Sequence, residues 1–87
     1  MTWWVYLLRC GDGTLYCGIA LEVEARLKQH QEGKGAKYTR GRGPLELVYR
    51  EPCATKAEAL RRERAIKALR RDKKAALFHG WRAEPGR

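Results

Sequence analysis

Residues 3–9, Trp-Trp-Val-Tyr-Leu-Leu-Arg, present apolar side chains to both faces of an extended chain. A strand of that kind needs cover on two sides, which a sheet open to water on one face does not provide. Directly after it, Cys10-Gly11-Asp12-Gly13 carries the Asp-Gly pair that turns a hairpin, and residues 14–20 return as a second strand. With the turn centred near Gly11, Tyr6 and Tyr16 are predicted to face each other across the hairpin, on one side of the sheet. Two such tyrosines serve packing as readily as chemistry. Gly18 follows Tyr16 on the same side, and a glycine inside a strand lets another group approach the backbone closely.

The spacing changes after Ala20. Val23, Leu27 and His30 fall on one side of a predicted helix over 22–32, with Glu22 and Glu24 in its first turn, where the helix dipole favours acids. Gly33 is its predicted stop. A long basic loop follows over 33–44. Leu45 to Glu51 alternate as a third strand, which Pro52 closes. Thr55 and Glu58 form a capping box for a helix predicted to run to Arg71. Asp72 then caps a short helix through Phe78, stopped by Gly80. The order β-β-α-β-α-α predicts an α+β fold (an α/β sandwich) in which helices flank a three-stranded antiparallel sheet. Residues 1–80 are expected to form a single domain, and 81–87 a flexible tail.

Charge narrows the partners. Nineteen Lys and Arg against ten Asp and Glu leave a formal +9 on 87 residues, a field that draws in polyanions. No apolar run reaches the ~18 residues of a membrane span, and no helix couples a basic face to bulky apolar anchors. A membrane partner is therefore not expected. The N-terminus lacks a basic segment and a small-residue cleavage site, which argues against a secretory signal. Cys10, Cys17 and Cys53 are odd in number and lack Cys-x-x-Cys spacing, so neither a disulfide framework nor a zinc site follows. Reduced thiols in a cytoplasmic, monomeric protein are the expectation.

Several residues carry chemistry. Arg26 and His30 are four apart and share a helix face at the border of core and solvent. Arginine grips phosphate bidentately, while a histidine there is as readily a satisfied core-edge residue. Glu63 lies three residues from both Leu60 and Ile66, within an apolar stripe that includes Ala59 and Leu69. A carboxylate so placed is costly unless paired with an arginine or bound to a metal. Mg²⁺ suits the second reading, since it takes one or two protein carboxylates and completes its shell with water and phosphate.

These residues together resemble the GIY-YIG endonuclease superfamily. Val5-Tyr6 and Tyr16-Cys17-Gly18 resemble its paired motifs, and Arg26 and Glu63 match its two further signature positions in order. Trp-Val-Tyr-Leu-Leu-Arg-Cys, Gly-Lys-Gly-Ala-Lys-Tyr-Thr and Leu-Arg-Arg-Glu look closest to its small, stand-alone bacterial members, themselves similar to the catalytic domain of a structure-specific endonuclease for branched DNA. The resemblance covers residues 3–78. Trp4 stands where the first motif has glycine, and Cys17 where the second has isoleucine.

What the resemblance implies is metal-dependent hydrolysis of a phosphodiester. Glu63 would hold one Mg²⁺ or Mn²⁺, and Arg26 would stabilise charge on the phosphorus. Tyr6 would position or deprotonate the water, and Tyr16 would hydrogen-bond the phosphate or the water. His30 would relay a proton or orient Tyr6. The products would be a 5′ phosphate and a 3′ hydroxyl. Glu63 must then fold back onto the sheet face that carries Tyr6 and Tyr16, with Arg26 in the same cleft. In the basic loop, Lys34, Lys37, Arg40 and Arg42 are candidate phosphate contacts and Tyr38 a candidate stacking residue. DNA is expected ahead of RNA, with little sequence specificity, in repair, recombination or nucleic-acid processing. The competing readings are a binding module with a vestigial or partner-dependent site, and an adaptor with a protein partner on Trp3, Trp4 and Trp81. Those tryptophans are read first as core and core edge.

Overall fold

A computed structural model describes residues 1–79, except the side chain of Tyr38. Gly80, Trp81 and the tail 81–87 lie outside the described residues. Strand β1 spans Trp3–Arg9, β2 Leu15–Ala20 and β3 Glu46–Cys53. Helix α1 spans Val23–Gln31, α2 Lys56–Lys67 and α3 Arg71–Phe78, with a short 3₁₀ turn at Lys37–Thr39. The elements follow the order β-β-α-β-α-α, an α+β fold. The sheet order is β2-β1-β3 and both pairings are antiparallel.

The central place of β1 explains its composition. Val5, Tyr6, Leu7 and Leu8 are each at most 1% exposed. Val5, Leu7 and Cys17 pack on one side against Ala59 and Ile66 of α2, with Leu77 and Phe78 of α3 closing the cluster. Tyr6, Leu8 and Ala20 pack on the other side against Val23 and Leu27 of α1. Full burial of each large apolar side chain there is worth about 1.5–3 kcal/mol. All three cysteines are buried free thiols.

A bulge between Leu7 and Leu8 in the β1–β3 pairing sets Val48 and Tyr49 together on the α2 side and leaves Leu47 on the α1 side. The third strand starts at Glu46 and continues through Pro52, where closure was expected. Pro52 is accommodated because β3 is an edge strand.

Glu32 is the C-cap of α1, and Gly33 follows with φ 76°. Gly33 N–H donates to the His30 carbonyl at 3.1 Å and Lys34 N–H to Gln29 at 2.8 Å, a Schellman closure. Thr55 Oγ1 accepts from Glu58 N–H at 3.1 Å, while the Glu58 carboxylate reaches past the cap to Ala54 N–H at 3.1 Å. Helix α2 ends at Lys67, four residues before the expected Arg71. No breaker marks the site; Leu69 N–H closes on the Ile66 carbonyl at 3.0 Å. Arg70, not Asp72, is the N-cap of α3. The early stop lets α3 fold back so that Leu77 and Phe78 join the core, and tertiary packing overrides local propensity. Leu60, expected in the apolar stripe of α2, is 38% exposed.

Among the described residues, no helix is long and apolar enough to cross a membrane. Trp3 and Trp4 are half-buried, with Lys56 Nζ 5.4 Å from the Trp3 ring and Arg50 Cζ 4.8 Å from the Trp4 ring.

Candidate active site

The register of the hairpin pairs Tyr6 with Gly18 and Leu8 with Tyr16. Tyr6 and Tyr16 share a face but stand diagonally, not directly opposite, because the turn centres on Asp12, one residue beyond Gly11. Their rings lie 6.4 Å apart at 49°. The group that approaches the Gly18 backbone is the Tyr6 phenol itself. A Cβ at residue 18 would lie 2.5 Å from Tyr6 Oη and 2.7 Å from Cζ. Gly18→Ala is therefore expected to destabilise the fold by about 1–3 kcal/mol through overpacking. Urea unfolding measures this, and unchanged stability would show that the phenol relaxes freely.

Helix α1 supplies the next two groups. His30 is 2% exposed, and its Nε2 lies 2.9 Å from Tyr6 Oη. Its Nδ1 lies 2.8 Å from Thr39 Oγ1, which in turn donates to the Ala36 carbonyl at 2.9 Å. The Thr39 hydroxyl has one proton, and Ala36 takes it. Two tautomers fit these contacts: with Nδ1–H donating to Thr39, Nε2 accepts from the Tyr6 hydroxyl, whereas with Nδ1 accepting from Ala36 N–H at 3.4 Å, Nε2–H donates to Tyr6. Gly35 allows the loop to lie on this imidazole; a Cβ there would meet Nδ1 at 2.3 Å. The Tyr16 and His30 rings are 5.2 Å apart.

Burial first, then Tyr16, pushes the Tyr6 phenol up to about 12, against the pull of the neighbouring Arg26 guanidinium. Burial and then Arg26 hold His30 below its ordinary 6.5. At rest, Tyr6 is protonated and His30 neutral. A folded pKa below the unfolded one means that neutral His30 contributes stability above pH 6.5, lost as acidification protonates the ring. The melting temperature is expected to drop below pH 6.5, and His30→Gln to flatten that slope. Equal slopes in both proteins would assign the acid sensitivity to another group.

Glu63 arrives by a route the sequence did not indicate. Helix α2 covers the sheet face opposite to Tyr6, not the same one. However, β2 is an edge strand, and the Glu63 charge raises both Tyr16 on one face and Cys17 on the other. Its charge thus reaches Tyr16 and Cys17, neighbours on β2 whose side chains face opposite sides of the sheet. Its side chain is 19% exposed and pairs with Lys67 Nζ at 3.4 Å. Burial raises the Tyr16 phenol, with Lys67 and then Arg26 pulling it down and Glu63 adding to the rise. Arg26, Lys67 and Glu63 all act on Tyr16.

Among the described residues, no three of His, Cys, Asp and Glu gather to cage a metal. A lone carboxylate fits Mg²⁺ or Mn²⁺, which retain water, and not a structural zinc. The Lys67 ammonium is the ion-pair partner of this carboxylate.

The basic loop is pinned at two points. Thr39 holds it to His30; Arg42 pairs with Asp12 at 2.6 Å while its carbonyl accepts from Gly11 N–H at 2.6 Å. Arg42 is thus engaged in an ion pair with the hairpin turn. Lys34, Lys37 and Arg40 are exposed. Tyr38 lies in the 3₁₀ turn, and its side chain is outside the described residues. Thr39, Gly35 and Lys67 were not singled out individually from the sequence. The only signals were the Gly-Lys-Gly-Ala-Lys-Tyr-Thr segment and the spacing of Lys67 four residues beyond Glu63.

A sheet hairpin bearing two tyrosines, backed by arginine and histidine on the next helix and a glutamate on a later one, belongs to a class of small nuclease-type domains. Residues 2–76 match the GIY-YIG catalytic domain, and the chain belongs to that family, a nuclease superfamily. A UPF0213 protein of Vibrio cholerae is 53% identical over 79 residues, covering 90% of this chain and 78% of the relative. One from Staphylococcus aureus is 51% identical over 74 residues, covering 85% and 90%. The solution NMR structure of a UPF0213 protein from Bacillus halodurans superposes with TM-score 0.57 at 49% identity, covering 88% of this chain and 82% of that one. A protein from E. faecalis, also solved by NMR, gives 0.62 at 36% identity, covering 97% and 93%.

Proposed function

We propose that this protein is a metal-dependent endonuclease that hydrolyses nucleic-acid phosphodiester bonds without strong sequence specificity, with DNA the favoured substrate and repair, recombination or nucleic-acid processing its setting. The observation that carries the reading is the buried Tyr6–His30 hydrogen bond beside Tyr16, the phenol on which Arg26 and Glu63 converge.

In the reaction, Tyr6 Oη takes a proton from the attacking water as its own proton passes to His30 Nε2. The step uses the Nδ1–H tautomer, in which Thr39 accepts from Nδ1–H and Nε2 is left free. The water oxygen bonds to phosphorus and the bond to the 3′ oxygen breaks, leaving a 5′ phosphate and, after protonation, a 3′ hydroxyl. Arg26 stabilises the charge that builds on the phosphate oxygens. Tyr16 hydrogen-bonds the phosphate. Glu63 would hold one Mg²⁺ or Mn²⁺, which supplies Lewis-acid stabilisation when bound. Since the proton resides on Tyr6 at rest, the phenol needs nearby positive charge to act, and Arg26 supplies part of it.

The exposed Lys34, Lys37 and Arg40 contact backbone phosphates. Affinity for labelled branched, linear and single-stranded DNA and RNA is expected to fall steeply with salt and to vary little with sequence. Cleavage in the same panel should require Mg²⁺ or Mn²⁺. Salt-dependent binding with no cleavage of any substrate would favour the binding-module reading.

A further inference from the structure

A second cleft adjoins the catalytic cluster on the side away from the basic loop. It encloses about 370 Å³ between β2 and helices α2 and α3, and its walls are Leu7, Leu15, Tyr16, Cys17, Lys67 and Lys74. That volume falls in the range of sites that hold a small ligand. We propose that this cleft is the subsite for the nucleotide next to the scissile phosphate on the same strand, with Lys67 and Lys74 gripping its phosphate and Leu15 and Tyr16 receiving its base or sugar. The inference rests on the nuclease reading and adds the path of the strand.

Three features support it. First, Tyr16 is a shared wall. One side of its ring lies 5.2 Å from His30, and the residue also lines the cleft. A group seated there is one side chain from the reacting phosphate. Second, the mouth is cationic over an apolar floor, the combination a nucleotide presents in reverse: an anionic phosphate and a flat, largely apolar ring. Lys67 is 54% exposed and Lys74 half-buried, so both can meet a ligand without leaving the protein surface. Third, the cleft is preorganised. Arg71 Nη2 donates to the Gly13 carbonyl at 2.6 Å, which ties the start of α3 to the hairpin turn. Lys74 stands three residues on, close to one turn of the same helix, and lines the cleft.

Lys67 has a competing partner in Glu63, 3.4 Å away. A cation on Glu63 releases this ammonium to a phosphate. Lys74 makes no side-chain pair among the described residues, so its contact costs no broken bond. The basic loop borders His30, whereas the cleft borders Tyr16. A strand gripped at both ends would therefore pass the adjoining Tyr16 and His30 rings.

The test measures binding, not cleavage. A short fluorescent single-stranded oligonucleotide is titrated into the full chain without divalent metal, over a range of salt. Lys74→Met keeps the aliphatic stem and removes one phosphate contact. It is expected to lower the salt slope by about 0.7 and weaken binding about fivefold at 0.1 M salt. Lys67→Met should act in the same direction but less, and Lys28→Met, on the exposed side of α1, should change neither quantity. Oligonucleotide-induced NMR shifts at Leu15 and Cys17 are expected in wild type and reduced in Lys74→Met. Wild-type slope and affinity in both cleft variants, with those shifts absent, would overturn the subsite while leaving the nuclease reading intact. Altered slopes in a protein that cuts no substrate would keep the subsite and sink the nuclease reading.

Discussion

Tyr6→Phe is expected to lower cleavage by about 10²–10⁴-fold, the range of a lost general base, with the fold unchanged. The substitution removes one oxygen. Tyr6 is 1% exposed, and its ring fills the space over Gly18, which phenylalanine fills equally well. The hydrogen bonds to His30 Nε2 and to the Arg26 guanidinium are lost, and the neutral imidazole keeps Thr39 as a partner. The pH profile separates catalysis from packing. The active form pairs protonated Tyr6 with neutral His30, so wild-type rates should fall as acid protonates His30 below pH 6.5 and level off above it. Tyr6→Phe should lose that dependence along with the rate. Should the variant cleave within tenfold of wild type, the proton route through His30 is wrong.

The kind of fold was legible, and so was its central strand. Six consecutive residues apolar on two faces demand cover on both sides, and α1 and α2 provide it. The turn centre was off by one residue, and the hairpin pairing therefore by two, for a reason no local rule contains. Gly11 was read as the turn centre, but it is used for docking: a Cβ there would lie 2.3 Å from the Gly43 carbonyl oxygen, and its N–H donates to Arg42. That contact joins residues far apart in the chain, so only the tertiary structure contains it. The loop around it was read as long and basic, which it is. Its anchoring through Thr39 was invisible, because a threonine amid glycine and cations reads as solvated until His30 is seen beneath it.

Periodicity also had a limit at α2. It placed Glu63 within the apolar stripe, between Ala59 and Ile66, both now seen to be fully buried. It did not say which sheet face that stripe covers, since a helical stripe fits either one. The sheet order decides: with β2 at the edge, a helix on the far side can still bring a carboxylate to Tyr16. Lys67 was passed over because a lysine four residues after a glutamate is the commonest exposed helix pair, worth only a few tenths of a kcal/mol. Its meaning comes from the cleft it shares with Tyr16 and Lys74.

Glu63→Gln is expected to abolish the response to Mg²⁺ and Mn²⁺ and to lower cleavage by about 10³-fold or more, since several kcal/mol of transition-state stabilisation leave with the ion. Binding should move in the opposite sense. The change removes one negative charge and frees Lys67, so affinity for DNA without metal should hold or tighten while cleavage collapses. A misfolded variant would lose both. Two further signs are fixed by the electrostatics. The Glu63 charge raises the Tyr16 phenol and the Cys17 thiol, so both should titrate lower in Glu63→Gln. Combining Glu63→Gln with Tyr6→Phe should cost little more than the worse single change, because groups acting as a unit fail together. Multiplicative losses would mean that the two residues serve separate steps. A variant that still cleaves at wild-type rate with Mg²⁺ would move the metal away from Glu63, leaving Lys67 as that carboxylate's sole cation.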